Sequence, residues 1–293
     1  MKILVTGANG QVGSELSSRA ISRGWEVLAV DRDRLDITNS EAVKAMVEKF
    51  HPDAVVNAAA YTAVDKAESD ADTAYAINRD GPANLAVACE EAGIPLVHYS
   101  TDYVFDGGKS SAYVEGDPVS PLGVYGASKL AGEQAVQEKC ALHLVLRTSW
   151  VFSSHGRNFV KTMLRLGAER EELGVVVDQF GKPTSASEIA KITFDLLTLI
   201  NHGTGHWGLY HLAQPEVMNW HGFSEEIFTE ARRQGILLKV HRVNPISTAD
   251  YPTPASRPTN SELNCERLES VFDVQIRSWQ ESLKEVIREL ASE

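Results

Sequence analysis

Cysteine is scarce in this chain. Cys89, Cys140 and Cys265 are the only three in 293 residues, and none forms a Cys-x-x-Cys pair. This argues against a disulfide framework in a chain of this size, and reduced thiols in a cytoplasmic protein are expected. No apolar run approaches the ~20 residues that span a bilayer. The N-terminus enters a β-rich run at Lys2-Ile3-Leu4-Val5, without the basic stretch, apolar stretch and cleavage site of a leader. Basic excess is lacking too: 28 Lys and Arg face 40 Asp and Glu, a net charge of −12. Nucleic acid is therefore a poor partner. A nucleotide still suits the chain, because a helix N-terminus and a few local cations suffice to hold a diphosphate. The sequence has neither the Gly-x-Ser-x-Gly elbow nor the His-Glu-x-x-His element that would anchor a hydrolase.

With 43% hydrophobic and 23% charged residues, the composition is that of a folded globular chain. β-rich runs at 3–6, 26–30, 54–57, 95–99, 143–147 and 174–177 alternate with helical spacing at 11–23, 39–50, 73–92, 120–139 and 156–170. This alternation predicts an α/β, Rossmann-like, doubly wound parallel sheet. Asn39 or Ser40 is the expected cap of the second helix, and Ser120-Pro121 the expected cap and first position of the fifth. The long segment from Ser100 to Ser120 is rich in Gly, Ser and Asp, the kind of loop that is either functional or disordered. Beyond residue 180 helices near 186–200, 219–234 and 279–291 mix with short strands near 206–211 and 236–243. The expected organisation is residues 1–180 as a dinucleotide-binding domain carrying the catalytic residues and 181–293 mainly as a smaller C-terminal substrate lobe. The boundary is soft, and the chain could re-enter the first domain.

Strand one leads into Gly7-Ala8-Asn9-Gly10-Gln11-Val12-Gly13 and then directly into a helix. Gly7 permits the turn, Gly10 lets backbone approach a pyrophosphate, and Gly13 allows close packing of helix on strand. The spacing is one residue longer than Gly-x-Gly-x-x-Gly, but strand, loop, helix and second strand follow in the required order. Asp31 ends strand two where a ribose-binding carboxylate is expected, favouring NAD, while Arg32 and Arg34 offer charge to the 2′-phosphate of NADP. NADH and NADPH both remain open.

Tyr125 and Lys129 stand at i and i+4 on one helix face. A carbonyl that receives hydride needs a proton on its oxygen, and an ammonium near a phenol is expected to lower its pKa toward neutrality. Tyr-x-x-x-Lys is weak by itself; its place before strand five and after a dinucleotide loop strengthens it. Thr101 leaves the end of strand four, where ligands of open α/β sheets gather, and could hydrogen-bond the substrate oxygen. Thr101, Tyr125 and Lys129 form the expected catalytic triad. Other signals are discounted: His202 and His206 are separated by turn-forming glycines, His98 is expected to be packed or bonded to backbone, and Glu169 to Glu172 reads as a solvated helix end.

These segments carry a resemblance: GANGQVGSEL at 7–16, VVNAAAYTAVDKAE at 55–68, VHYSTDYVFDG at 97–107, SPLGVYGASKLAGE at 120–133, LRTSWVF at 146–152, NFVKTMLRL at 158–166, DQFGKPT at 178–184 and YPTPASRPTNSEL at 251–263. The chain resembles the extended short-chain dehydrogenases/reductases, and within them the dTDP-4-dehydrorhamnose reductase family. The resemblance implies NADPH- or NADH-dependent reduction of the C4 ketone of a dTDP-linked sugar, with Tyr125 giving the proton. It implies a cofactor site at Gly10, Gln11, Val12, Asp31, Asp36, Ile37, Ala60, Tyr61 and Thr62. It places Asp102, Tyr103 and Trp150 on the sugar or thymidine diphosphate, and Arg257 on the diphosphate. Some relatives use magnesium at a dimer contact; here Glu15 is present but the stretch 185–191 lacks paired carboxylates, and no required metal is expected. A monomer or homodimer is expected. Two alternatives stay open, another nucleotide-sugar reductase or epimerase of the same fold and a non-catalytic cofactor-binding regulatory subunit.

Overall fold

The structure is a computed structural model that describes residues 1–201, 203 and 205–292. In chain order it runs β1 (Lys2–Thr6), α1 (Gln11–Ser22), β2 (Glu26–Val30), α2 (Ser40–Phe50), β3 (Ala54–Asn57), α3 (Val64–Ala67) and α4 (Ala71–Tyr75). A π-helical turn (Ala76–Asp80) joins α4 to α5 (Gly81–Ala92), and β4 (Leu96–Thr101) ends in a 3₁₀ turn (Asp102–Val104). Then come α6 (Val124–Lys139), β5 (His143–Thr148), β6 (Val151–Phe152), α7 (Phe159–Glu169), β7 (Glu172–Val176), β8 (Phe180–Gly181), β9 (Thr184–Ser185), α8 (Ala186–Asn201) and β10 (Gly208–His211). The chain closes with β11 (Met218–Asn219), α9 (Trp220–Arg233), β12 (Arg242–Ile246), α10 (Glu266–Phe272) and α11 (Trp279–Ala291).

Six strands form the main sheet in the order β10-β5-β4-β3-β1-β2, every pair parallel. The expected doubly wound sheet is therefore present. Its strands are buried on both faces, as sequences such as Ile3-Leu4-Val5 and Ala54-Val55-Val56 require. One face packs Leu16, Ile189, Phe194 and Leu197 with Ile3 and Val5; the other packs Val43, Val47, Leu85 and Cys89 with Leu4 and Val55. Winding reverses between β1 and β3, and in open sheets that reversal is where ligands collect.

The sixth strand corrects the sequence reading. β7, expected to extend the main sheet, instead pairs in parallel with β12 in a separate two-stranded sheet. The place at the sheet edge belongs to β10, beside β5. β7 and β12 support a second core in which Phe152, Phe223, Phe228, Trp279 and Ile287 pack together. α7 and β7 thus serve this smaller core, while α8 and β10, from beyond residue 180, serve the main sheet.

Two helices also differ from expectation. The run 73–92 is not one helix, because the π-helical turn interrupts it. Pro82 has no N–H to give the Asn78 carbonyl one turn back, so the register must slip there. α6 starts at Val124 after Gly123, not at Ser120-Pro121. No side chain of its own caps it; the carboxylate of Glu68 accepts from the Val124 N–H at 2.8 Å. A distant cap of this kind leaves no local signal. Asn39 caps α2 as expected, accepting from Ala42 N–H. The acidic run divides, Glu169 ending α7 and Glu172 opening β7. The turn expected around His202 falls partly outside the described residues. Among them, no helix is long and apolar enough to cross a membrane.

Candidate active site

Gly7 takes a positive φ of 70°, and a Cβ there would lie 2.5 Å from the backbone nitrogen of Ala59. A Cβ on Gly13 would lie 2.1 Å from the Gly7 carbonyl oxygen. Both glycines are thus demanded by backbone meeting backbone, Gly7 against the chain leaving β3 and Gly13 against the loop itself. Gly10 precedes α1 without a side-chain cap, which leaves first-turn N–H groups of Gln11, Val12 and Gly13 facing outward from the helix end. A cleft of about 230 Å³ opens beside this loop, lined by Gly7, Gly10, Asp31, Asp36, Ile37 and Ala60 among others. Asp31 accepts from the Asn9 amide, and Asp36 lies 3.8 Å from Arg32. Hydrogen bonds from Thr38, backbone first, hold the Asp36 carboxyl below its usual range.

The remaining expected cofactor residues stand around this cleft rather than in its wall. Gln11 accepts from the Asn158 amide at 2.9 Å, which ties α1 to the start of α7. Val12 packs on the main core. Thr62 is exposed, its carbonyl accepting from Val64 N–H at 2.9 Å. Tyr61 is fixed at both backbone groups by one buried residue, Asn78: its N–H donates to Asn78 Oδ1 at 2.8 Å, and its carbonyl accepts from Asn78 Nδ2 at 3.0 Å. The same amide nitrogen reaches Ser128 Oγ on α6 at 3.0 Å. Sequence reasoning missed Asn78, although Gly81-Pro82 signalled the broken helix that presents it.

Thr101 ends β4, and its hydroxyl accepts from Tyr103 N–H at 3.2 Å while donating to Asp102 Oδ1 at 3.0 Å. α6 approaches this turn closely because Gly126 has no side chain; a Cβ there would lie 2.2 Å from the Tyr103 carbonyl. The Tyr125 ring consequently meets Tyr103 edge to face, centroids 5.8 Å apart. Burial pushes the Tyr125 phenol up to about 12, and the neighbouring Thr101 hydroxyl opposes that rise. Burial likewise pushes the Asp102 carboxyl up to about 6, against the pull of the Ser261 and Thr101 hydroxyls.

Lys129 is 3% exposed and donates to the Tyr99 carbonyl at 2.6 Å. Burial lowers it to about 8, with Glu133 acting in the opposite direction. The lowered phenol expected from Tyr–Lys spacing is therefore not present. Both groups have lost water, and the ammonium is engaged with a carbonyl. His98 is fully buried, its Nδ1 paired at 3.0 Å with the side-chain amide of Asn57 rather than with backbone.

Tyr103 also lines a larger cavity of about 460 Å³, together with Met163, Arg170, Gln179, Trp220 and Arg257. Arg257 donates to Asp65 at 2.9 Å and to the Ala255 carbonyl at 3.0 Å, fastening the proline-rich loop to α3. Trp150 is not in the cavity wall. Its ring lies flat on Trp220 at 3.4 Å between centroids and against Gly181, so it backs the tryptophan that does line the cavity. Asp102, 3% exposed, is also behind the wall. The loop after the 3₁₀ turn is ordered by the C-terminal segment: Tyr113 stacks on Phe105 at 4.1 Å and donates its N–H to the Glu262 carbonyl at 2.7 Å. Glu15 pairs with Arg19 at 3.3 Å, and among the described residues no three His, Cys, Asp or Glu side chains converge as for a metal.

Comparison with known proteins extends these observations over the whole chain. The model of the RmlD substrate binding domain matches residues 1–292. A dTDP-4-dehydrorhamnose reductase of Burkholderia thailandensis is 46% identical over 299 residues, covering 100% of both chains. The crystal structure of a dTDP-4-dehydrorhamnose reductase from Clostridium acetobutylicum superposes with a TM-score of 0.91 at 42% identity, covering 99% of each chain. That of the Bacillus anthracis dTDP-4-dehydrorhamnose reductase in complex with NADP does so at 0.90 and 38%, covering 99% of this chain and 100% of that one. A doubly wound sheet, a glycine loop opening on a cleft and a match from end to end agree: the chain belongs to the RmlD family of dTDP-4-dehydrorhamnose reductases.

Proposed function

We propose that this protein reduces the C4 ketone of dTDP-4-dehydro-L-rhamnose to dTDP-L-rhamnose, using NADPH or NADH. The observation that carries the reading is the placing of Tyr125 beside Thr101 and Tyr103, with Tyr103 also lining the 460 Å³ cavity. The cofactor fits the cleft at the glycine loop. The first-turn N–H groups of α1 suit its diphosphate, and Asp31 suits an adenosine ribose. Asp31 next to Arg32 accommodates either nicotinamide cofactor, and the Bacillus anthracis relative binds NADP. When bound, the nicotinamide supplies hydride to the ketone carbon.

The side chains supply the rest. An acid that donates a proton must hold that proton at neutral pH, and a phenol raised to about 12 does so. Thr101, whose hydroxyl hydrogen rests on Asp102, turns that hydrogen to the carbonyl oxygen when the ketone is bound. Lys129 places a positive charge one helical turn behind the phenol and stabilises it as the proton leaves. Arg257 faces the diphosphate of the sugar nucleotide from the cavity wall, and Trp220, stiffened by Trp150, offers a flat apolar surface. Three buried thiols suit a reaction in the cytoplasm.

The test is turnover of dTDP-4-dehydro-L-rhamnose by wild-type protein and by Tyr125→Phe, with NADH and NADPH compared. Loss of ~10²-fold or more in kcat with cofactor binding retained is expected. No cofactor oxidation with any dTDP-linked 4-ketosugar would overturn the assignment; undiminished turnover in Tyr125→Phe would move the proton to another group.

A further inference from the structure

Helix α6 carries one more ionisable side chain sealed from water. Glu133 is 1% exposed, and Arg147 of β5, which meets it, is 3% exposed. The contact is bidentate, Nε to Oε1 at 2.9 Å and Nη2 to Oε2 at 2.7 Å. Stability alone does not account for it. Removing two charges from water costs much of what their attraction returns, and apolar side chains of similar volume commonly do as well.

Position gives the pair a use. Glu133 follows Lys129 by four residues, so the two side chains share a face of α6 one turn apart. The ammonium of Lys129 is hydrogen-bonded to a carbonyl, which carries no net charge to balance it. Charged groups on the other elements around α6 are engaged at its ends or elsewhere. Glu68 accepts from Val124 N–H at its first turn, Glu90 of α5 accepts from Ala141 N–H just past its last, and Glu91 of α5 pairs with Lys44. Asp65 of α3 pairs with Arg257, Asp70 before α4 with Lys66, and Arg79 with Asp80 in the π-helical turn. His98 of β4 is buried and kept neutral by burial, and Asp102 acts on the Tyr125 side. Arg147 holds the Glu133 carboxylate from β5 and spreads its own charge over the Phe105 ring, 5.1 Å away.

We propose that Glu133 is a positioning residue, the countercharge that keeps Lys129 protonated in its dehydrated setting, with Arg147 clamping that carboxylate in place. The inference rests on the reading that Lys129 works as a cation in the reduction. Burial drives Lys129 down to about 8 and Glu133 pushes it back up. Without the carboxylate, the ammonium loses its proton at lower pH.

The experiment is the pH profile of kcat/KM for Glu133→Gln, Glu133→Asp and the double variant Glu133→Gln/Arg147→Met. It is paired with a ¹³C titration of the lysine Cε resonance that disappears in Lys129→Met. In Glu133→Gln the alkaline fall in kcat/KM and the resonance midpoint both move down by about one pH unit. The double variant removes both charges of the pair, so its midpoint moves in the same direction but by less than that of Glu133→Gln. Glu133→Asp retains the charge and keeps the midpoint close to wild type even where it melts earlier. A folded Glu133→Gln with the wild-type midpoint overturns the proposal, as does a Glu133→Asp that shifts like Glu133→Gln or a double variant whose midpoint moves up. Lys129→Met separates the two readings. Retained turnover there removes the role of Lys129 itself, whereas abolished turnover with unmoved midpoints removes only the role of Glu133.

Discussion

At the scale of single residues, the site places its chemistry against its stability. Lys129 is ionised at neutral pH yet almost wholly buried, and its pKa falls from 10.5 to about 8. Because the folded state binds that proton less tightly than the unfolded chain, the penalty is full below pH 8. It fades as the pH rises toward 10.5, where the unfolded chain also releases the proton. The cost at neutral pH is about 3 kcal/mol. Lys129→Met should therefore raise the melting temperature by several degrees at pH 7 while abolishing turnover, with the gain shrinking above pH 8. Melting curves from pH 6 to 10.5 check this; a variant less stable at pH 7 would refute it. Individual candidate residues stood out in the chain: Gly7, Gly10, Asp31, Tyr125 and Lys129 by type and spacing, and the structure sets the first three on one cleft. Asn78 and Glu133 did not, because an amide or carboxylate in a helical stretch looks solvated until tertiary packing buries it.

Elements were legible where periodicity was local. β1 to β5 and the helices α1, α2 and α8 fall where their apolar patterns place them. The failures share a cause, an interaction with a partner remote in sequence. β7 reads as a strand, and is one, but its partner is β12, some seventy positions away. α6 begins at Val124, whose N–H Glu68 caps from outside, and the stronger local signal at Ser120-Pro121 is overruled. The seating of α6 also hinges on a missing methyl group. Gly126→Ala would place its Cβ 2.2 Å from the Tyr103 carbonyl, so helix or 3₁₀ turn must shift. We expect a fall in kcat of ~10²-fold from displacement of Tyr125, with the fold retained. Circular dichroism and steady-state kinetics measure the two together. Wild-type kcat would show that the contact is slack.

For the whole molecule, the parallel, doubly wound character of the sheet and the glycine loop could be anticipated, whereas its edge strand and the way two cores share the chain could not. α7 and β7 lie before α8 and β10 in sequence yet pack in the other core, a crossing that no composition shift marks. The cavity is accordingly built from both, with Tyr103 contributed by the end of β4 and Trp220 by α9.

The amide of Asn78 has a consequence for the order of events during turnover. A single side chain grips the backbone of Tyr61 beside the cleft at the glycine loop and also reaches Ser128, in the turn of α6 between the phenol and the ammonium. A shift of either region on binding its ligand would then pass to the other, and thermodynamic reciprocity would make the effect equal both ways. NADPH should bind several-fold more tightly when dTDP is present, dTDP should gain by the same factor when NADPH is present, and Asn78→Ala should uncouple them. Calorimetric titrations in all four combinations decide it, and additive affinities in the wild-type protein would mean that the grip transmits nothing.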